Sequence, residues 1–221
     1  MSKVTVFGAG AWGSTMAQVL SDAGNDVLLW GRSQQVIDEI NSSHTNAKYL
    51  ASHILPSAIT ATTDISSAFA FSDIYVLAIP AQQIRATLQE WKGNFSSTCT
   101  IVSTLKGIEI SSQKRMTEVI EDVLGPHKIA IITGPNLADE LVLRQPAGAV
   151  AAAATTELAE SIRELFRTPY YRVYTSVDVM GCELAGSIKS VIALAVGISI
   201  GMGFGENTQA MLITRGLNEV A

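Results

Sequence analysis

Three groups of residues in this 221-residue chain have types and spacing that could do chemistry. The first is Gly8-Ala9-Gly10-Ala11-Trp12-Gly13, which matches G-x-G-x-x-G and falls between a short β-branched run, Val4 to Phe7, and a helical pattern beginning at Ala11. In that setting Gly8 permits a tight turn, Gly10 lets backbone approach a pyrophosphate, and Gly13 allows close helix packing. The free N–H groups of the helix start, Ala11 among them, then face the phosphates of a dinucleotide. Trp12 is either a core aromatic or a surface on which the dinucleotide packs. Arg32, after Trp30-Gly31, stands where a carboxylate would otherwise hold a ribose 2′-hydroxyl. It suits a 2′-phosphate or a stacked adenine, which tilts the choice between NAD and NADP toward NADP; the alternative is a solvated surface arginine.

The second group lies at strand ends, where open parallel sheets bind their ligands. Ile79-Pro80-Ala81-Gln82, Ser103-Thr104-Leu105-Lys106-Gly107 and Thr133-Gly134-Pro135-Asn136 each close a β-branched run. Lys106 offers a cation beside an open backbone, suited to a carbonyl or phosphate, although a lone lysine is more often at the surface. The third group is Lys189, set between Ile188 and Val191-Ile192, with Glu183 six positions before it. A lysine there either snorkels outward or is buried for a purpose, and burial or a second cation such as Lys106 would lower its pKa toward the range useful in proton transfer.

The elements that must position these groups follow from periodicity. Runs at Val4–Phe7, Asp26–Trp30, Ile74–Ile79, Thr100–Leu105, Lys128–Thr133, Gly148–Ala153 and Tyr170–Tyr174 read as strands, and helical patterns alternate with them. The expected fold is α/β, a Rossmann-type doubly wound and mostly parallel sheet, followed by the first helices of an all-α domain. From about Cys182 a long apolar helix replaces the alternation, so the division expected is residues 1–181 for dinucleotide binding and 182–221 for the start of a substrate-binding unit. The segment from His44 to Pro56 has no clear period and reads as a loop. The uncharged run Ser190 to Gly205 is shorter than a bilayer needs and reads as a core helix, with no membrane span expected. The helical pattern from Thr208 to Ala221 has nothing after it to cover its apolar face, so further C-terminal sequence is expected.

Bulk composition agrees with a globular protein: 48% hydrophobic and 16% charged residues. A net charge of -5 supplies no basic field for nucleic acid, so any anion must be gripped locally. Two cysteines without ligand spacing, three histidines in loop-like stretches and no leader pattern point to a cytoplasmic protein without a bound metal.

The blocks GAGAWGSTMA, WGR, His44-Thr45-Asn46 with Tyr49-Leu50, LAIPAQ, STLKGIE, GPNLADE and GCELAGSIKSVIALAVGISIGMGFGENTQAMLITRG occur in order through essentially the whole chain. With them the chain resembles the bacterial NAD(P)-dependent glycerol-3-phosphate dehydrogenases. That resemblance implies interconversion of dihydroxyacetone phosphate and sn-glycerol 3-phosphate, supplying phospholipid synthesis. It implies contacts to NAD or NADP from Trp12, Arg32 and Ala138, and from Lys106 to both cofactor and substrate. Gly134 and Asn136 would line the substrate, Lys189 would accept the proton in alcohol oxidation, and a homodimer is kept open.

The family often has serine where Asn136 stands and asparagine where Ser190 stands. It continues into a helical domain with a substrate-binding aspartate and a Ser-Arg-Asn phosphate clamp beyond the point where this sequence ends, which implies cofactor binding with little turnover by these 221 residues. Two rival readings are a related hydroxy-acid dehydrogenase and a non-catalytic dinucleotide-binding module.

Overall fold

The computed structural model describes residues 1–220 and contains eight strands and ten α-helices. The strands are β1 (Lys3–Phe7), β2 (Asp26–Trp30), β3 (Thr60–Thr62), β4 (Ile74–Leu77), β5 (Thr100–Ser103), β6 (Lys128–Thr133), β7 (Ala147–Ala153) and β8 (Tyr171–Ser176). The helices are α1 (Ala11–Asp22), α2 (Gln34–Ser43), α3 (Ala47–Leu50), α4 (Ile65–Phe71), α5 (Ile84–Trp91), α6 (Met116–Leu124), α7 (Ala138–Val142), α8 (Thr156–Phe166), α9 (Val179–Gly201) and α10 (Glu206–Val220). One sheet runs β3-β2-β1-β4-β5-β6-β7-β8, parallel throughout except for the antiparallel pair β6–β7. Its strand order reverses at β1, which pairs with β2 on one side and β4 on the other. The crevice beyond the carboxyl ends of those strands is where a doubly wound sheet takes its ligand.

The period-2 alternation of each strand divides the core into two layers. Val4 and Val6 of β1, Leu29 of β2 and Val76 of β4 face α1, α2 and α8 through Met16, Leu20, Ile40 and Ile162. Phe7, Trp30, Tyr75 and Leu77 point the other way and meet Phe69 of α4, Leu88 and Trp91 of α5, and Ile120 of α6. Phe7 and Trp91 pack at a tilt with ring centroids 5.0 Å apart, and Trp30 meets Trp91 edge-on at 4.9 Å. These contacts fix the strand ends from which the site is built.

The segment 44–56 and the burial of the long C-terminal helix depart from the sequence reading. Residues 44–56 do not form a plain loop: Thr45 bridges to Ile54, α3 lies between them, and Leu50 and Leu55 are buried. A single turn is too short to display a period. The long C-terminal helix begins at Val179, where the Asp178 carboxylate accepts the Gly181 N–H at 2.8 Å, so residue 182 lies within its first turn.

The expectation of a core helix there is overturned. Only Ser199 of α9 is buried, while Val191 and Leu194 are 64% and 66% exposed. Its apolar residues occur on all sides, and its main packing partners among the described residues are α10, β6 and β7. By length and composition, with a hydropathy of 1.8, this one helix among the described residues could cross a membrane. Glu183 and Lys189 lie within it, and Glu183 is bonded to the neighbouring α/β layer.

Candidate functional site

The site is a cleft of about 1060 Å³ at the reversal of strand order. Its floor is the turn between β1 and α1, which the glycines shape in three different ways. Gly8 has φ +121°, and a Cβ there would overlap the carbonyl oxygen of Ala78. A Cβ on Gly13 would overlap the carbonyl oxygen of Gly8, so this glycine is needed for packing. Gly10 has no neighbour within 4 Å on its Cβ side, and a side chain there would stand in the cleft. Gly10 also makes no side-chain cap to α1, which leaves the first N–H groups of that helix for an anion. Open space and free amides at one turn are what a diphosphate requires.

Gly8, Gly10, Ala11, Trp12, Arg32, Lys106 and Asn136 line the cleft together. Gly13 lies beneath the turn. Gly134, Ala138 and Lys189 are not part of the cleft wall. Gly134 nevertheless touches the site, because the Lys106 ammonium donates to its carbonyl oxygen at 2.9 Å. A Cβ on Gly134 would meet the Gly148 carbonyl and the Asn136 amide, so β6 can turn here only without a side chain. Asn136 donates to the Tyr171 hydroxyl at 3.3 Å, which anchors it to β8.

Lys106 also lies over the Trp12 ring, 5.6 Å from its centroid, and so spans the cleft from the glycine turn to the end of β6. Partial burial lowers its pKa from the ordinary lysine value, and the positive charge of Lys189 lowers it further. Lys189 stands on α9, outside the cleft wall. Its own side chain is exposed on α9 rather than enclosed in a core.

Sequence reasoning missed three contributors from residues 44–50. Asn46 is fully buried and donates to the Ala9 carbonyl oxygen at 3.0 Å and to the Ser14 hydroxyl at 2.9 Å, bracing the glycine turn from below. Lys48 and Tyr49, on α3, also line the cleft. The only signal for them was the His44-Thr45-Asn46 and Tyr49-Leu50 block, which carries no local period. The Lys106 loop is also held in a way that only tertiary structure reveals. Glu109 receives both Arg85 Nε and Nη2, at 3.0 and 2.8 Å, as well as the Ser112 hydroxyl, and Gln82 bonds the backbone of Ile108 and Ile110.

A doubly wound sheet whose crevice combines this glycine turn with uncapped helix amides and cationic walls defines a dinucleotide-binding protein of the dehydrogenase type. Residues 3–159 match the model for the NAD-dependent glycerol-3-phosphate dehydrogenase N-terminus, and residues 178–221 match the model for its C-terminus. The chain belongs to the NAD-dependent glycerol-3-phosphate dehydrogenase family, whose cofactor is NAD or NADP. It is 48% identical over 219 residues to a glycerol-3-phosphate dehydrogenase [NAD(P)+] of Streptomyces avermitilis, covering 98% of this chain and 65% of the relative. The protein of the same name in Thermobifida fusca is 47% identical, covering 99% and 66%. The crystal structure of glycerol-3-phosphate dehydrogenase from Coxiella burnetii superposes with a TM-score of 0.90 at 30% identity, covering 99% of this chain and 67% of that one. The chain therefore spans about two thirds of the length of these relatives.

Proposed function

We propose that this chain binds NAD(P)H over the glycine turn and supplies lysine-based machinery for interconverting dihydroxyacetone phosphate and sn-glycerol 3-phosphate. The observation that carries the reading is Lys106, whose ammonium is held between Trp12 at the phosphate-binding turn and the Gly134 carbonyl while feeling the charge of Lys189. With Lys189 as a second cation acting on Lys106, a phosphorylated carbonyl compound would be drawn in and polarised beside the carboxyl ends of β5 and β6. When bound, the nicotinamide exchanges a hydride with C2 of the substrate. Lys189 gives a proton to the C2 oxygen in reduction and takes it back in oxidation. Lys106 orients substrate and cofactor together, while Gly134 and Asn136 line the substrate and Arg32, Trp12 and Ala138 contact the dinucleotide.

The flank of the site on the α9 side is open to water, with Ile188, Val191 and Leu194 exposed beside Lys189. Catalytic electrostatics weaken where water enters, so little turnover is proposed for these 221 residues themselves. The product would serve phospholipid synthesis, and the two free thiols, Cys99 and Cys182, suit a reducing cytoplasm.

Fluorescence titration with NADH and NADPH tests the binding half of the reading, and saturable binding is expected. Consumption of NAD(P)H with dihydroxyacetone phosphate and with 2-keto acids tests the rest: slow turnover of the phosphorylated ketone that Lys189→Ala abolishes, with cofactor affinity retained, is expected. No binding of either dinucleotide by folded protein overturns the reading, and preference for a 2-keto acid reassigns the substrate.

A further inference from the structure

Lys106 and Lys189 come from elements far apart in the chain, and one carboxylate joins those elements. Glu183, in the second turn of α9, has a side chain only 7% exposed. It accepts Arg115 Nη1 at 2.8 Å, Thr117 N at 3.0 Å and the Thr117 hydroxyl at 2.6 Å. Thr117 N is one of the first amides of α6, which the helix itself cannot satisfy, so Glu183 caps α6 from a different helix at the end that favours negative charge. Arg115 closes the loop that Lys106 opens, through an antiparallel bridge to Ile108. The same carboxylate therefore touches the far end of the Lys106 loop and the near end of the Lys189 helix.

A second contact fixes the rest of the orientation. At Gly186 a Cβ would lie 2.9 Å from the Thr133 hydroxyl, so α9 rests directly on the end of β6, next to the Gly134 carbonyl that receives Lys106. A single point of contact would leave the helix free to roll, whereas Glu183 three residues earlier prevents it. Lys189 lies three residues beyond Gly186, and a helix pinned at both positions holds the Lys189 backbone in one place relative to the end of β6. We infer that Glu183 is the positioning residue that sets where Lys189 stands relative to Lys106. The inference rests on the reading of Lys189 as the proton carrier, but the geometry it describes exists without cofactor or substrate.

Lys106 is a built-in reporter of that geometry, because Lys189 acts on its titration through charge. The test is an NMR pH titration of the Lys106 side chain in the cofactor-free 221-residue protein. Lys189→Met is expected to raise the Lys106 pKa by removing the neighbouring cation. Glu183→Ala is expected to raise it too, because α9 is released and Lys189 moves away. Loss of the Glu183 charge by itself would act in the opposite direction, lowering any nearby lysine, so the sign separates position from electrostatics.

Glu183→Gln, which keeps an acceptor for Thr117, should give a smaller rise than Glu183→Ala. Should Glu183→Ala fail to fold, Thr117→Val, which removes only the hydroxyl donor, is expected to shift Lys106 in the same upward direction. Arg144→Ala breaks an ion pair of similar kind with Asp22 and should leave Lys106 unmoved. An unchanged or lowered Lys106 pKa in a folded Glu183→Ala or Thr117→Val protein overturns the inference, as does an unmoved Lys106 in Lys189→Met. Loss of dinucleotide binding alone would overturn the proposed function and leave this result standing.

Discussion

The ammonium of Lys106 ends 2.9 Å from the carbonyl oxygen of Gly134, tying the loop after β5 to the turn after β6 across the mouth of the cleft. Partial burial, and then the charge of Lys189, disfavour the charged form in the folded protein. For a lysine whose folded pKa lies below its unfolded one, the unfolded chain binds more protons between the two values, so stability rises with pH through that interval. Folding stability of the parent should therefore climb relative to Lys106→Met between the lowered pKa and the ordinary lysine value of 10.5, and the difference should level off above it. Denaturant unfolding of both proteins from pH 7 to 11 measures this; parallel curves would show that Lys106 titrates like a free lysine.

The glycine turn separates binding from stability. Gly10 is extended, with φ -83° and ψ -174°, and its Cβ side is open, so Gly10→Val should cost the fold no more than about 0.5 kcal/mol. The branched side chain would stand where the diphosphate approaches, and affinity for NAD(P)H should fall by roughly tenfold or more, equivalent to about 1.4 kcal/mol. Gly13→Ala should cost at least about 1–3 kcal/mol of stability, because its methyl would overlap the Gly8 carbonyl and force the turn to shift, so stability and affinity fall together. Thermal unfolding and cofactor titration of the two variants should separate them, and equal loss of stability in both would contradict the open space at Gly10.

What was legible in the sequence follows from range. The glycine turn was readable because three glycines at fixed spacing join a strand to a helix within six residues, and the strands were readable from their β-branched runs. β3 and α4 escaped notice because three residues of strand and seven of helix leave too short a pattern. Asn46 braces Ala9 from 37 positions away, and Glu183 bonds residues 66 and 68 positions away, distances at which sequence spacing carries no information. The error at α9 has a different origin. Composition registers how apolar a helix is, but coverage depends on its neighbours, and α10 with two strand ends covers little of it.

Glu109 makes the Lys106 loop sensitive to acid. Its buried carboxyl is held below the usual carboxylate range by hydrogen bonds from Arg85 first and from Ser112 next. A depressed pKa stabilises the fold fully above the unfolded value of 4.5, and that contribution disappears as pH falls through the folded pKa. Glu109→Gln removes the charge while keeping the shape, and should destabilise the protein by about 2 kcal/mol at neutral pH. The gap between the two proteins should narrow as pH drops below 4.5, which equilibrium unfolding at pH 7 and at successive acid steps can follow. A gap that stays constant would place the stabilisation outside the Arg85–Glu109 pair.

Cofactor choice turns on the end of β2. Arg32 lines the cleft there, where a carboxylate would be needed to hold a ribose 2′-hydroxyl, and Lys48 of α3 lines the same cleft. Two cations instead offer a 2′-phosphate charge-assisted hydrogen bonds, which are about twice as strong as neutral ones. NADPH should therefore bind more tightly than NADH, and the preference should weaken as ionic strength rises because both cations are exposed. Arg32→Ala is expected to weaken NADPH roughly tenfold, a loss of about 1.4 kcal/mol, while changing NADH much less. Lys48→Ala should act in the same direction with a smaller effect, since a flexible ammonium lacks the planar fork of arginine. Paired titrations with the two cofactors at low and moderate salt decide the matter: equal losses for NADH and NADPH would mean that these cations meet the adenine or the diphosphate, leaving the 2′-position unread.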